Sequence, residues 1–382
     1  MDGSRFPRVS RATLSTDPLD DHDTLARKLS WTPPAGGGRF LSVYMDQNNK
    51  CNLRCRTCGF SDDRVGGIAK YDMPEELFAR IAEEVFPHAK YLCLSIMTEP
   101  FMTRSFPDRL RLVRAAGVPF SDIITNGTLL TPRICETLFE VKLSRLTFSI
   151  DGGTKEVFER LRTGARFEQV IANVRLFQAM RPADGPWLRV NHVLSEPNID
   201  HFEDFLELME ELRPEQIAVR TVSRMSNAAI QETYDPRFWR KVQRCREQLA
   251  AFAARTGIPD AGYLRGRHSR IDLFDENGDA LICRLPWTTL AIHPNGDVYP
   301  CMAFTRPPVG NLLEESFEEI WNGRALAALR EEFERTRAGV DCLNCSIRMA
   351  DDDPDDDFFY RKLAKQVERR RPAGWPGAVP AP

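Results

Sequence analysis

Nothing in the chain approaches the ~18 consecutive apolar residues of a membrane span, and Met1 to Ser30 lacks the apolar stretch of a secretion signal. Both absences predict a cytoplasmic protein without membrane contact. An excess of one charge is also missing. Lys plus Arg number 52 against 55 for Asp plus Glu, so no global basic field draws nucleic acid, and none is expected as a partner. The ten cysteines do not read as a disulfide framework, because seven fall into clustered spacings of the kind metal ligands adopt. With 382 residues, 42% of them hydrophobic, the chain is long enough to bury one large core and a smaller satellite.

The first cluster is Cys51-Asn52-Leu53-Arg54-Cys55-Arg56-Thr57-Cys58, directly after the apolar run Phe40 to Met45. One short loop here offers three thiolates to one inorganic centre, and no fourth cysteine lies nearby to close a tetrahedral zinc site. A coordination position is left open.

Residues 1–38 are polar and end in Pro33-Pro34-Ala35-Gly36-Gly37-Gly38, an arm and linker by composition. Beyond Arg39, strand-like runs alternate with helix-period segments. The expected strands are Phe40 to Met45, Tyr91 to Met97, Asp122 to Thr125, Arg145 to Ile150, Leu188 to Leu194 and Ile217 to Val222. The expected helices are Pro74 to Phe86, Phe106 to Ala116, Pro132 to Val141, Phe167 to Met180 and Ile199 to Leu212. This alternation predicts an α/β fold of parallel βαβ units with chemistry at the strands' C-terminal ends. Periodicity leaves a barrel and a doubly wound open sheet both open. In Tyr91 to Glu99, Leu92, Leu94 and Ile96 share one face and Cys93, Ser95, Met97 and Glu99 the other, which sends Glu99 inward. Ser149 and Asp151 are placed inward in the same way, opposite Leu146, Phe148 and Ile150.

The Cys51/Cys55/Cys58 loop, Glu99-Pro100, Thr125-Asn126-Gly127 and Ser149-Ile150-Asp151-Gly152, each after a successive strand, together resemble the radical S-adenosylmethionine superfamily over Arg39 to Arg255. The resemblance implies a partial (β/α)6 barrel of parallel strands. It also implies a 4Fe-4S cluster on the three cysteines, with S-adenosylmethionine on the open iron, a 5′-deoxyadenosyl radical, and a flavodoxin- or ferredoxin-type electron donor. Glu99 would then receive the methionyl amine, Ser149 and Arg162 the carboxylate, and Asp151 or Asn126 the adenosine part. Met97-Thr98 stands where many members have Gly-Gly, and Thr57 where many have an aromatic residue. Bland readings exist for each: a helix-capping Glu99, an ordinary strand-end turn at Ser149 and Asp151, a solvated Arg162.

Four more thiols follow: Cys283, Cys301, Cys342 and Cys345, with His293-Pro294-Asn295-Gly296-Asp297 between the first two. By spacing alone a four-cysteine zinc ribbon competes. The run through Gly296-Asp297-Val298-Tyr299-Pro300-Cys301, Gly310-Asn311 and Trp321 resembles the SPASM extension, and with no cysteine after Cys345 it implies the shortened twitch form with one auxiliary 4Fe-4S cluster. Gly296-Asp297 reads as the turn of a hairpin that delivers Cys301. The expected division is 1–38 arm, 39–255 core barrel, 256–350 small cysteine-rich auxiliary domain and 351–382 tail, the last opening on the Asp-rich run 351–357. Cys135 and Cys245 lie on apolar helical stripes, and Cys93 is expected ~20 Å below Glu99, so none reads as a hydrogen donor. Arg220, Arg224, Arg265, Arg267, His268 and Arg270 are candidates for the barrel mouth, although a solvated basic surface is the plainer reading of each.

The expected activity is that of an oxidoreductase or isomerase on a small-molecule substrate: dehydrogenation or epimerisation of a sugar- or aminocyclitol-like natural-product intermediate. A peptide-modifying maturase is the alternative. Against it stands the shortness and polarity of 1–36 as a leader-binding domain. A zinc-bearing binding module is the non-enzymatic alternative. No catalytic base is assigned.

Overall fold

Leu41, Val43 and Met45 present one fully buried face of the first strand, and this inside–outside alternation recurs along the sheet. The computed structural model describes residues 39, 41–61, 69–221, 236–261, 285–302 and 306–336. Six strands, β1 (Leu41–Met45), β2 (Ala89–Cys93), β3 (Phe120–Thr125), β4 (Arg145–Ser149), β5 (Trp187–Leu194) and β6 (Gln216–Thr221), pair in parallel in chain order. A doubly wound sheet reverses direction about its first strand, whereas this order runs from β1 to β6 without reversal, as in a barrel. β6 is not paired to β1, so the barrel is partial.

The crossovers are α1 (Glu75–Glu84), α2 (Phe106–Ala115), α3 (Pro132–Glu140), α4 (Lys155–Leu161), α5 (Phe167–Met180) and α6 (Phe202–Leu212). Local chemistry sets several starts. The Thr131 hydroxyl accepts from Ile134 N at 3.3 Å with Pro132 next, and the Thr154 hydroxyl accepts from Val157 N at 3.5 Å. Leu92, Leu146, Phe148, Leu188, Val190, Ile217 and Val219 face these helices in one continuous core. α7 (Pro236–Thr256) adds Phe238, Val242, Cys245, Leu249 and Phe252 to that core, and Cys135 is also wholly buried in it, so both thiols are packing groups.

The sheet does not end with the barrel. After α8 (Leu285–Thr288), β7 (Thr289–Ile292) pairs in parallel with β1 on its free side, then antiparallel with β8 (Asp297–Tyr299), which pairs with β9 (Gly310–Asn311). The expected hairpin is present, with Gly296 at its turn at φ +89°. Its seat on β1 makes one nine-stranded sheet of both expected domains. α9 (Phe317–Trp321), opened by a Ser316/Glu319 capping box, and α10 (Arg324–Thr336) follow. At the other edge Ile217 bridges Asp260, so strand-like pairing continues past residue 255.

One strand departs from expectation. β2 stops at Cys93 rather than Met97, and Ile96 packs with Tyr44, Tyr91 and Cys93 on the lumen side rather than with the helices. Alternation therefore fails beyond Leu94, and Glu99 reaches the lumen by way of a turn. The extended-chain spacing of ~20 Å between Cys93 and Glu99 fails with it. Cys93 is buried and its thiol donates to Ser95 O at 3.1 Å.

The lower lumen is closed by charge. Asp122 Oδ2 pairs with Arg145 at 2.8 Å and Arg189 at 3.3 Å and accepts from the Tyr91 hydroxyl at 2.9 Å, while Oδ1 accepts from Thr147 at 3.0 Å. Burial opposes ionisation here, but the two guanidiniums hold the Asp122 carboxyl below the usual range. Arg145 is the first residue of β4, so this network plugs the strands' N-terminal end and leaves the C-terminal end as the mouth.

Candidate active site

The cysteine loop hangs from the C-terminal end of β1 and is clamped to the end of α4. Arg54 N donates to Thr163 O at 3.0 Å and Arg56 N to Leu161 O at 2.8 Å, while Leu53 is buried beneath. Gly164 lies against Leu53 at φ +97°, a conformation that strains any residue with a Cβ. Cys51, Cys55 and Cys58 are all half-buried. Phe60 N donates to Cys58 Sγ at 3.4 Å, and Asn126 Nδ2 lies 3.9 Å from Cys51 Sγ as a weak donor. Burial raises all three thiols above their ordinary range, Cys55 to about 11, and Cys51 and Cys55 are raised further by the neighbouring thiols. Thiols so placed need a metal to hold them as thiolates.

Glu99 is 1% exposed. Its Oε1 accepts from Thr125 Oγ1 at 2.8 Å and Phe101 N at 3.3 Å, and its Oε2 from Asn126 N at 2.8 Å. The bond from Phe101 N caps a 3-10 turn, Pro100–Met102, so the capping reading is present together with lumen placement. Burial raises Glu99 to about 7, these hydrogen bonds offsetting only part of the effect. The Asn126 side chain is occupied: Nδ2 donates to Asn52 Oδ1 at 2.9 Å, and Oδ1 accepts from Thr128 N at 2.9 Å and Thr128 Oγ1 at 2.6 Å.

Ser149 ends β4, half-buried and in register with Asn191 on β5. Asp151 is buried with both oxygens engaged: Oδ1 accepts from Val193 N at 2.9 Å, and Oδ2 pairs with Arg162 at 2.8 Å. Arg162 follows α4 directly and is buried rather than solvated. Burial disfavours its charge, but Asp151 and the nearby Cys55 and Cys58 raise it above the ordinary value. Its Nε finds no partner among the described residues.

Two residues escaped the sequence reading. Asp46, at the end of β1, is buried and binds the 96–98 turn through its carboxylate. Asn191 Oδ1 is buried without a partner among the described residues, level with Ser149. Strand alternation from Arg189 marks Asn191 as lumen-facing and was available from the sequence; the contacts of Asp46 were not.

Cys301 lies two residues past β8. Tyr299 and Met302, on either side of it, pack against the Tyr44/Tyr91 lumen cluster, while Cys301 itself packs with Leu285, Leu326, Leu329 and Phe333. Arg220 lies on β6 opposite Val193, half-buried toward the mouth. Cys283, Cys342, Cys345, Arg224, Arg265, Arg267, His268, Arg270 and the 351–382 tail fall outside the described residues. Among the described residues, no three Cys, His, Asp or Glu side chains are gathered to hold a single metal ion, and no helix is long and apolar enough to cross a membrane.

A three-thiol loop, a buried carboxylate and a buried arginine at the open end of a parallel barrel define an iron–sulfur barrel enzyme. Comparison with known proteins agrees. Residues 48–209 match the Radical SAM superfamily model, and residues 283–346 match SPASM, an iron–sulfur cluster-binding domain. The chain is similar to the tungsten-containing aldehyde ferredoxin oxidoreductase cofactor-modifying protein of Pyrococcus furiosus, 23% identical over 81% of this chain and 88% of that one. It is also similar to the subtilosin biosynthesis protein AlbA of Bacillus subtilis, at 23% identity over 74% of this chain and 59% of the relative. Its fold resembles that of SuiB from Streptococcus suis, solved with the precursor peptide SuiA, with a TM-score of 0.61 at 18% identity over 82% of this chain and 71% of that one. The chain belongs to the radical S-adenosylmethionine superfamily and carries a SPASM domain. Its cofactors are accordingly a 4Fe-4S cluster with S-adenosylmethionine, and auxiliary iron–sulfur centres.

Proposed function

We propose that this enzyme abstracts a hydrogen atom from a peptide substrate held at the barrel mouth and that an auxiliary cluster held by the SPASM region would take up the electron that the resulting substrate radical loses. The observation that carries the site is the convergence of the cysteine loop, Glu99 and the Arg162–Asp151 pair on one end of the lumen. When bound, the cluster and S-adenosylmethionine supply a 5′-deoxyadenosyl radical by reductive cleavage. Cys51, Cys55 and Cys58 are the ligands of that cluster. Three half-buried thiols of one loop with N–H donors at two of them suit a group larger than a single ion. Glu99 accepts the methionyl amine, with Thr125 and Asn126 N holding its two oxygens in place. Arg162 and Ser149 take the carboxylate. Asp151 orients Arg162 and keeps acceptor capacity on each oxygen for the adenosine part, and Asn126 braces the Cys51 side of the loop.

The core spans 39–255 and the auxiliary domain 256–350, with one auxiliary 4Fe-4S cluster on Cys283, Cys301, Cys342 and Cys345. The peptide reading is supported by AlbA, a bacteriocin biosynthesis protein, and by the fold shared with SuiB. A sugar- or aminocyclitol-like substrate is the second reading, favoured by the polar lumen ring of Ser149, Asn191 and Arg220, which suits a polyol. Anaerobic incubation with S-adenosylmethionine, reductant and either candidate precursor peptides or polyols decides between them. The true class raises 5′-deoxyadenosine above the uncoupled background, and a rise with polyols alone overturns the peptide reading.

A further inference from the structure

We infer that Asp46 is the positioning residue that sets Glu99 for its ligand, and that it does so from the seam where the auxiliary hairpin joins the barrel. The inference rests on Glu99 as the methionyl-amine acceptor and adds what holds it. Asp46 Oδ1 accepts from Ile96 N at 2.8 Å, Met97 N at 3.2 Å, Thr98 N at 3.3 Å and Thr98 Oγ1 at 2.9 Å, and Oδ2 accepts from Met97 N at 3.2 Å. One carboxylate thus gathers three consecutive amides of the turn that replaces the end of β2. Such a fan of donors is strongest toward an ionised acceptor. On balance burial raises the Asp46 carboxyl above its ordinary range, and the amides, the Thr98 hydroxyl and the nearby His293 offset only part of that rise.

Glu99 follows the turn at once. Its N donates to Lys50 O at 2.9 Å, and Asn48 Nδ2 donates to its O at 3.1 Å, so the segment after Asp46 holds Glu99 from the opposite side. Thr98 contributes a hydroxyl to this arrangement that a glycine at the same place cannot. The departure from Gly-Gly at Met97-Thr98 is therefore matched by a bond of its own. Asp46 N donates to Ile292 O at 3.2 Å, one residue before His293, which packs on Tyr299 at 4.8 Å between ring centroids. Displacement of the hairpin that bears Cys301 would be felt at Asp46.

Three variants test the assignment: Asp46→Asn, Thr98→Val and Glu99→Gln. Two measurements serve, amide hydrogen exchange of Ile96 to Thr98 in the apoprotein, and S-adenosylmethionine affinity of the anaerobically reconstituted protein at matched iron content. Asp46→Asn should speed exchange of the three amides and weaken binding about tenfold, the loss of one charge-assisted bond. Thr98→Val should weaken binding about threefold, and it removes only one hydroxyl if Asp46→Asn fails to fold. Glu99→Gln should weaken binding without changing exchange at 96–98. If Glu99→Gln binds as wild type, the amine-site reading fails. If Glu99→Gln weakens binding while Asp46→Asn and Thr98→Val leave both measurements unchanged, the positioning role of Asp46 is overturned.

Discussion

Arg162 and Asp151 form a buried ion pair at 2.8 Å, and the main chain on either side of Arg162 is bonded to the cysteine loop. Two functions meet in that pair: Asp151 fixes the guanidinium, and the guanidinium faces Cys55 and Cys58. Removing either partner leaves the other buried and uncompensated, at a cost of about 3–5 kcal/mol. The two removals should differ. Arg162→Met leaves Asp151 with the Val193 amide, whereas Asp151→Asn leaves a buried guanidinium without its bonded carboxylate, so urea denaturation of the apoproteins should rank Asp151→Asn as the less stable. Equal loss would mean that the thiol loop, rather than Asp151, carries the compensation.

Glu99 makes apoprotein stability depend on pH with a definite sign. Its proton affinity is raised in the fold from 4.5 to about 7, so between those values the native state keeps a proton that the unfolded chain has released. Stability should fall as pH rises across that window and then level off, by at most about 3 kcal/mol. Glu99→Gln cannot titrate, and it also places an amide N–H against Asn126 N or the Thr125 hydroxyl, which lowers stability equally at all pH values. Thermal melts at pH 5, 6, 7 and 8 should therefore show a flatter slope for the variant. Parallel slopes would assign the proton elsewhere.

The two cysteine groups should separate on mutation. Cys55→Ala leaves two thiols for a group that needs three, so bound iron should drop and 5′-deoxyadenosine formation should vanish. Cys301→Ala leaves the barrel loop intact and should retain some cleavage while product formation from substrate is lost. Iron analysis, 5′-deoxyadenosine assay and product assay on the same preparations distinguish the cases. Normal product from the Cys301 variant would make the auxiliary centre structural.

What was legible in the sequence followed from local rules. Strand alternation placed Leu92, Leu146 and Phe148 against the helices, and the three-thiol spacing located the site. The tertiary relations were not legible. Nothing in Thr289–Ile292 announces that it will pair with Leu41–Met45, more than 240 residues earlier, because parallel pairing carries no register signal in either strand alone. The turn at 96–98 was missed for a related reason. Its shape is dictated by a carboxylate at position 46, so a period-two pattern read within 91–99 carried straight through it. The bland reading of Arg162 as a solvated helix-end cation fails because its partner, Asp151, lies eleven residues upstream and is buried with it.

Gly127 offers a test of the site's backbone alone. It sits at φ +77° immediately after Asn126, and a Cβ there would meet Phe148 Cδ1 at 2.8 Å and Val170 Cγ1 at 3.2 Å. Both neighbours are fully buried between β4 and α5, so neither ring nor methyl has room to withdraw. Gly127→Ala should cost about 1–3 kcal/mol in backbone strain and a comparable amount in overpacking. The strain also acts on Asn126, whose N–H and side chain touch Glu99, Asn52 and Cys51. The variant should accordingly melt several degrees lower and take up less iron at temperatures where it remains folded. A lowered melting temperature with full iron incorporation would show that the Asn126 bonds tolerate the shift and that Gly127 serves packing only.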